Sequence, residues 1–108
     1  MENFFLKTGK LLAKATYEEK KLIILKGSQA KMEISSSFPK TQKEIRDELV
    51  NSGILVEQGN SFVFSRDYIC NSPSQASNLI TGTSSNGLIT WKDKIGKTLQ
   101  WHIRKEEE

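Results

Sequence analysis

The 108-residue chain has a single cysteine, a single histidine and two prolines, and each shortage closes off a class of protein. One thiol, Cys70, cannot form an internal disulfide, so the fold must rest on an apolar core, and a reducing cytoplasm is the expected compartment. His102 and Cys70 together fall short of the ligand number that a nitrogen-and-sulfur metal site needs, so neither metal nor other cofactor is expected. No apolar run nears the roughly 20 residues that span a bilayer, so no membrane partner is expected. The opening Met1-Glu2-Asn3-Phe4-Phe5 has no basic segment ahead of a long apolar one, so no signal peptide is expected either. Repeats, low-complexity tracts and linkers are also missing, which predicts one domain over residues 1–108.

What is present is lysine, unevenly spread. Residues 1–43 hold nine lysines against four glutamates, a local +5, and residues 88–105 hold four lysines and one arginine against Asp93 alone, a local +4. The stretch between them, 44–71, sets Arg46 and Arg66 against five carboxylates. If the fold joins the two basic segments, they form a face suited to phosphates; if it scatters them, they are ordinary solvated residues.

The hydrophobic pattern predicts a mostly antiparallel α+β fold, with about six short strands packed with two capped helices. Leu11-Leu12-Ala13-Lys14-Ala15-Thr16 and Lys21-Leu22-Ile23-Ile24-Leu25-Lys26 read as a hairpin across a short polar join, the second strand interior to its sheet. A third strand is expected through Lys31-Met32-Glu33-Ile34, and a second hairpin runs from Ile54-Leu55-Val56 to Ser61-Phe62-Val63-Phe64-Ser65. Thr41 and Glu44 have capping-box spacing for a helix over 41–52, with Ile45, Leu49 and Val50 inward, Arg46 outward and Gly53 as its stop.

The segment from 72 onward is denser in local instructions. Ser72-Pro73-Ser74-Gln75 combines an N-cap, a proline at the first helical position and a second capping box, which predicts a helix over 72–81 ending at Gly82. Ala76, Leu79 and Ile80 form its buried stripe. Asn86-Gly87 reads as a turn pair leading into a strand, Leu88-Ile89-Thr90-Trp91. A last short segment carries Trp101 and Ile103, and residues 104–108 read as a frayed tail.

No catalytic constellation appears, and no enzyme is expected. Gly82-Thr83-Ser84-Ser85-Asn86-Gly87 has the spacing of a phosphate-cradling loop, but Leu88 and Ile89 stand where that motif needs Lys and Ser or Thr. Gly96-Lys97-Thr98 lacks the motif's first glycine, whose position is taken by Trp91. Cys70 between Ile69 and Asn71 reads as a small core residue rather than a nucleophile for His102. Ser72 and Ser74 begin a helix, where unpaired amides suit an anion, although Ser72 also serves to cap that helix. Trp91 beside Lys92 and Lys94, and Trp101 near Arg104 and Lys105, interleave aromatic and basic residues as nucleic-acid surfaces do; core packing explains the tryptophans equally.

An ordered set of short motifs runs along the chain: Leu25-Lys26-Gly27-Ser28-Gln29-Ala30, Arg46-Asp47-Glu48-Leu49, Phe64-Ser65-Arg66-Asp67-Tyr68, Ser72-Pro73-Ser74-Gln75-Ala76-Ser77, Asn86-Gly87, Trp91-Lys92-Asp93 and Gly96-Lys97-Thr98-Leu99. Over about residues 10–100 the chain resembles the bacterial domain of unknown function 4357, often C-terminal to GIY-YIG-type nuclease domains or in restriction-modification-like proteins. Its helix–turn–strand part is similar to the restriction enzyme adenine methylase associated domain, proposed to recognise DNA, including modified DNA. Leu88 departs from the aromatic usual there. The resemblance implies a non-catalytic accessory module that binds DNA for a nuclease or restriction system. Lys26, Lys92, Lys94 and Lys97 are the expected backbone contacts, the amides near Ser72 and Ser74 are expected to hold a phosphate, and Arg66, Asn86 and Trp91 are the closer contacts. The alternative is a module that docks on a partner nuclease or methylase, or on itself, through an apolar patch around Trp101 and Ile103.

Overall fold

The computed structural model describes residues 2–107 and is an α+β domain of seven strands and four helices among them. Strands β1 (Asn3–Thr8), β2 (Leu11–Glu18), β3 (Lys21–Ile24) and β7 (Tyr68–Cys70) form one antiparallel sheet in the order β1-β2-β3-β7. Strands β4 (Gln29–Lys31), β5 (Leu55–Gln58) and β6 (Ser61–Phe64) form a second, in the order β4-β6-β5. The helices are α1 (Lys40–Asn51), α2 (Pro73–Thr81), the single turn α3 (Gly87–Thr90) and α4 (Leu99–Glu106).

The β2–β3 hairpin turns on Glu19 and Lys20, both at positive φ (52° and 68°), so its strands are joined by the tight turn whose twist matches theirs. β3 is interior, as its continuous apolar run predicts, with Leu22 and Ile24 fully buried. The chain then crosses to the second sheet at Ser28. The Ser28 hydroxyl accepts from the Lys14 amide (2.9 Å) and donates to the Lys14 carbonyl (3.0 Å), standing in for a strand partner of β2. Its carbonyl meanwhile accepts from the Phe64 amide in the second sheet (2.9 Å).

Several expectations are corrected. β1 and β7 went unread because each is defined by its neighbours: Phe4 and Leu6 of β1 face inward against their partners Ala15 and Ala13, and β7 is only three residues long. β4 lies at Gln29–Lys31 rather than 31–34, pulled back by its pairing with β6. α1 begins at Lys40 with Pro39 at its cap and no side-chain cap hydrogen bond, so Thr41 lies inside the helix and the 41–44 capping box does not form. Arg46, expected outside, is buried at 4% exposure, and Val50, expected inside, is exposed. The Arg46 guanidinium donates through Nη1 to the Leu79 carbonyl (2.8 Å) and lies over the Phe62 ring, tying α1 to α2 and to the second sheet. Burial lowers its pKa from the usual arginine value, against the pull of Asp47.

α2 follows its reading closely: Ser72 caps it by accepting from the Gln75 amide (3.1 Å), Pro73 is its first residue and Gly82 ends it at φ 74°. Gln75 reaches back to the Asn71 amide (2.9 Å), one residue before the box position. Ala76, Leu79 and Ile80 are fully buried beneath both sheets. The expected strand 88–91 is instead α3, and the expected tail from residue 104 is the last part of α4, which runs to Glu106; Glu108 lies outside the described residues.

Candidate functional site

One side chain and one backbone carbonyl at the start of α2 hold α3 in place. The Ser74 hydroxyl accepts from the Gly87 amide (3.0 Å), and the Pro73 carbonyl accepts from the Trp91 indole (3.2 Å). Asn86 caps α3 by accepting from the Leu88 amide (3.0 Å). Gly87 has no positive φ; it is needed because a methyl there would overlap the Pro73 carbonyl. The turn-pair reading of Asn86-Gly87 is therefore replaced by cap and close-packing residue. Of the expected contact residues in this region Trp91 is fully buried, Ser72 and Ser74 are half-buried and Asn86 is exposed. The Ser72 and Ser74 hydroxyls accept from the Gln75 and Gly87 amides, the Asn86 side-chain oxygen accepts from the Leu88 amide, and Trp91, at 0% exposure, presents no ring face to a ligand.

After Trp91 the chain forms a tight lysine-bearing loop. Lys92 pairs with Phe5 of β1 through both backbone bonds (2.7 and 3.0 Å) and with Thr98, so the 92–98 segment is stitched to the edge of the four-stranded sheet. Asp93, 8% exposed, organises the loop: Oδ1 accepts from the amides of Ile95 (3.0 Å) and Lys97 (2.9 Å), and Oδ2 lies 2.7 Å from His102 Nε2 in α4. Burial pushes the Asp93 carboxyl up, but the His102 hydrogen bond, the two amides and the His102 charge hold it below the usual carboxylate range.

This stitching opens a groove of about 500 Å³. Its apolar floor is Phe5 and Leu12, and Lys7, Lys92 and Lys94 stand around it with Thr90. Lys7 of the first basic segment thus meets Lys92 and Lys94 of the second here, while the first segment's other lysines do not line the groove. Lys14, opposite Phe5 in the β1–β2 register, shares the same sheet face. Lys97 is close by in sequence, its ammonium 5.1 Å from the centre of the Trp101 ring, which is 42% exposed.

Lys26 and Arg66 lie elsewhere. The Lys26 amide donates to Asp67 Oδ1 (2.8 Å) beside the β3–β7 edge, across the sheet from β1, and neither residue lines the groove. Lys7 and Lys14 were the residues missed. The alternation Phe4-Phe5-Leu6-Lys7 was the available signal for Lys7, since period two puts Phe5 and Lys7 on the face opposite the core pair.

A second cluster was also missed. Glu2, Asp93 and His102 bring ligand-type atoms within 4.8 Å of one another, a set that could hold a metal ion. A cation there would have to break the short bond between Asp93 and His102, and Asp93 Oδ1 is already taken by two amides. Cys70 is fully buried in the core, and burial pushes its thiol up to about 12; the His102 ring meets Asp93, Phe4 and Trp101. Among the described residues no helix is long and apolar enough to cross a membrane.

Comparison with curated proteins and with solved structures finds no match. The model of a domain of unknown function, DUF4357, matches residues 4–102, which takes in both sheets, the first three helices and the lysine loop. The chain belongs to the DUF4357 family.

Proposed function

We propose that this domain is an accessory module that binds DNA through the groove beside β1, on behalf of a nuclease or restriction-modification-type system. The observation that carries the proposal is the meeting of Lys7, Lys92 and Lys94, from opposite ends of the chain, around one groove with an apolar floor. Lysines held by a sheet edge and a hydrogen-bonded loop offer charge at fixed spacing, and that is what backbone phosphates require. Phe5 and Leu12 beneath them suit sugar or base edges. The link to a nuclease or methylase rests on the resemblance of the motif set, including its similarity to a domain proposed to read modified DNA.

Fluorescence anisotropy with a labelled duplex tests the reading. If three phosphates are neutralised, affinity falls about 40-fold between 50 and 200 mM salt. Absence of binding to any duplex at low ionic strength would sink it. The rival reading, a docking module, draws on exposed Trp101 (42%), although Ile103 of the expected patch packs against the core; it predicts association with a partner protein that salt does not weaken.

A further inference from the structure

Ile95 is the most exposed large hydrophobic side chain among the described residues, at 75%. A mobile loop would be free to fold such a side chain inward, but this loop is not mobile by construction. Asp93 Oδ1 accepts from the amides of Ile95 and Lys97, the Asp93 carbonyl accepts from the Gly96 amide (3.1 Å), and the Lys97 carbonyl accepts from the Asp93 amide (2.8 Å). Below the tip, Lys92 bridges Thr98 and the Trp91 carbonyl accepts from the Leu99 amide (2.8 Å). His102 locks Asp93 from the side of α4. The isoleucine is therefore held outward on a rigid stalk.

Its surroundings are basic and narrow. Lys94 precedes it, Lys97 follows two residues on, and Lys92 stands at the base, all three exposed. Gly96, at φ 94°, adds no side chain, and nothing lies within 4 Å of where its Cβ would be. One side of the tip is thus left clear.

We propose that Ile95 is a wedge that enters a base step of duplex DNA from the minor groove, while Lys92, Lys94 and Lys97 hold the flanking phosphates. This rests on the DNA-binding reading above. The occupant is argued from charge: an acidic polymer with openable apolar steps matches an apolar tip ringed by lysines, and aliphatic wedges that unstack a step and kink the duplex are an established device of minor-groove binding. A β-branched side chain loses little rotamer freedom on insertion, and a preformed turn needs no ordering when it binds.

The test uses a duplex of about 20 bp with dyes at its ends and 2-aminopurine at a central TA step, the kind of step that unstacks most readily. Wild-type protein is expected to shorten the end-to-end distance and brighten the 2-aminopurine. Ile95→Ala should lose both signals and about 10-fold in affinity, with an unchanged salt dependence. Ile95→Lys should also lose both signals while still binding through its added charge. Wild-type binding without bending or brightening, or bending that survives in Ile95→Ala, overturns the wedge and leaves the DNA reading standing. No duplex binding by wild type at low salt brings down both.

Discussion

Gly87 and Cys70 show what single residues do in this domain. Gly87 sits where α3 touches the start of α2, and its lack of a side chain sets the distance between them. Gly87→Ala must push the Pro73 carbonyl away, disturbing the Trp91 indole bond as well; a loss of about 1–3 kcal/mol is expected in denaturant unfolding, as for other overpacked sites. A variant as stable as wild type would show that α3 can slide without cost. Cys70 lies on the core side of β7 with its pKa pushed up to about 12 by burial, so its thiolate is scarce at neutral pH. Labelling by a thiol reagent at pH 7 is expected only at the rate of unfolding, and denaturant should accelerate it. Fast stoichiometric labelling of the native protein would contradict the core placement.

Among the elements, those whose instructions are local were legible. α2 carries its cap, first-position proline and terminal glycine within eleven residues of chain (72–82), and all three act as read. α3 was not legible. Leu88-Ile89-Thr90 has the β-branched look of a strand, yet Asn86 caps it and the hydrogen bond from Gly87 to Ser74 draws it against α2, a contact that no local pattern announces. Arg46 misled for a related reason: its charge argued for solvent, whereas the Leu79 carbonyl and the Phe62 ring that receive it come from distant parts of the chain.

Glu19 and Lys20 both occupy the left-handed region that side chains disfavour, so replacing them with Asn and Gly should stabilise the β2–β3 hairpin by about 1 kcal/mol, read as a shifted unfolding midpoint. No gain would mean that the pair has other native contacts to lose. The 93–97 loop depends on a carboxylate whose pKa is depressed on folding. Such a group contributes stability above its unfolded pKa of about 3.9 and loses it as pH falls through the lower folded value. Wild type should therefore exceed Asp93→Asn in stability at neutral pH, with the gap closing below about pH 4. A gap that stays constant with pH would show that the charge of Asp93 does not matter to the loop.

For the whole molecule, the question left by the sequence was whether its two lysine-rich ends meet. They do so only in part: Lys7 joins Lys92 and Lys94, whereas Lys26, Lys31, Lys40 and Lys43 lie away from the groove, and the meeting is not around Trp91 or the start of α2, where the dense local signals lay. They meet at the β1 edge, because backbone pairing of Phe5 with Lys92 brings the loop there. That long-range bridge separates the expected contacts into a groove set with its neighbour Lys97, a distant pair at Lys26 and Arg66, and a group at the α2–α3 junction, Ser72, Ser74, Asn86 and the buried Trp91. The proposed DNA binding therefore rests on the groove. Its most direct test is the salt dependence of duplex affinity for wild type, for Lys7→Ala/Lys92→Ala/Lys94→Ala, and for a control triple replacing Lys31, Lys40 and Lys43, which do not line the groove. The groove triple is expected to bind more weakly and to lose about 2.7 from the slope of log K against log salt, as three released phosphate contacts require, while the control keeps the wild-type slope. Equal slopes and affinities for both triples would contradict the account.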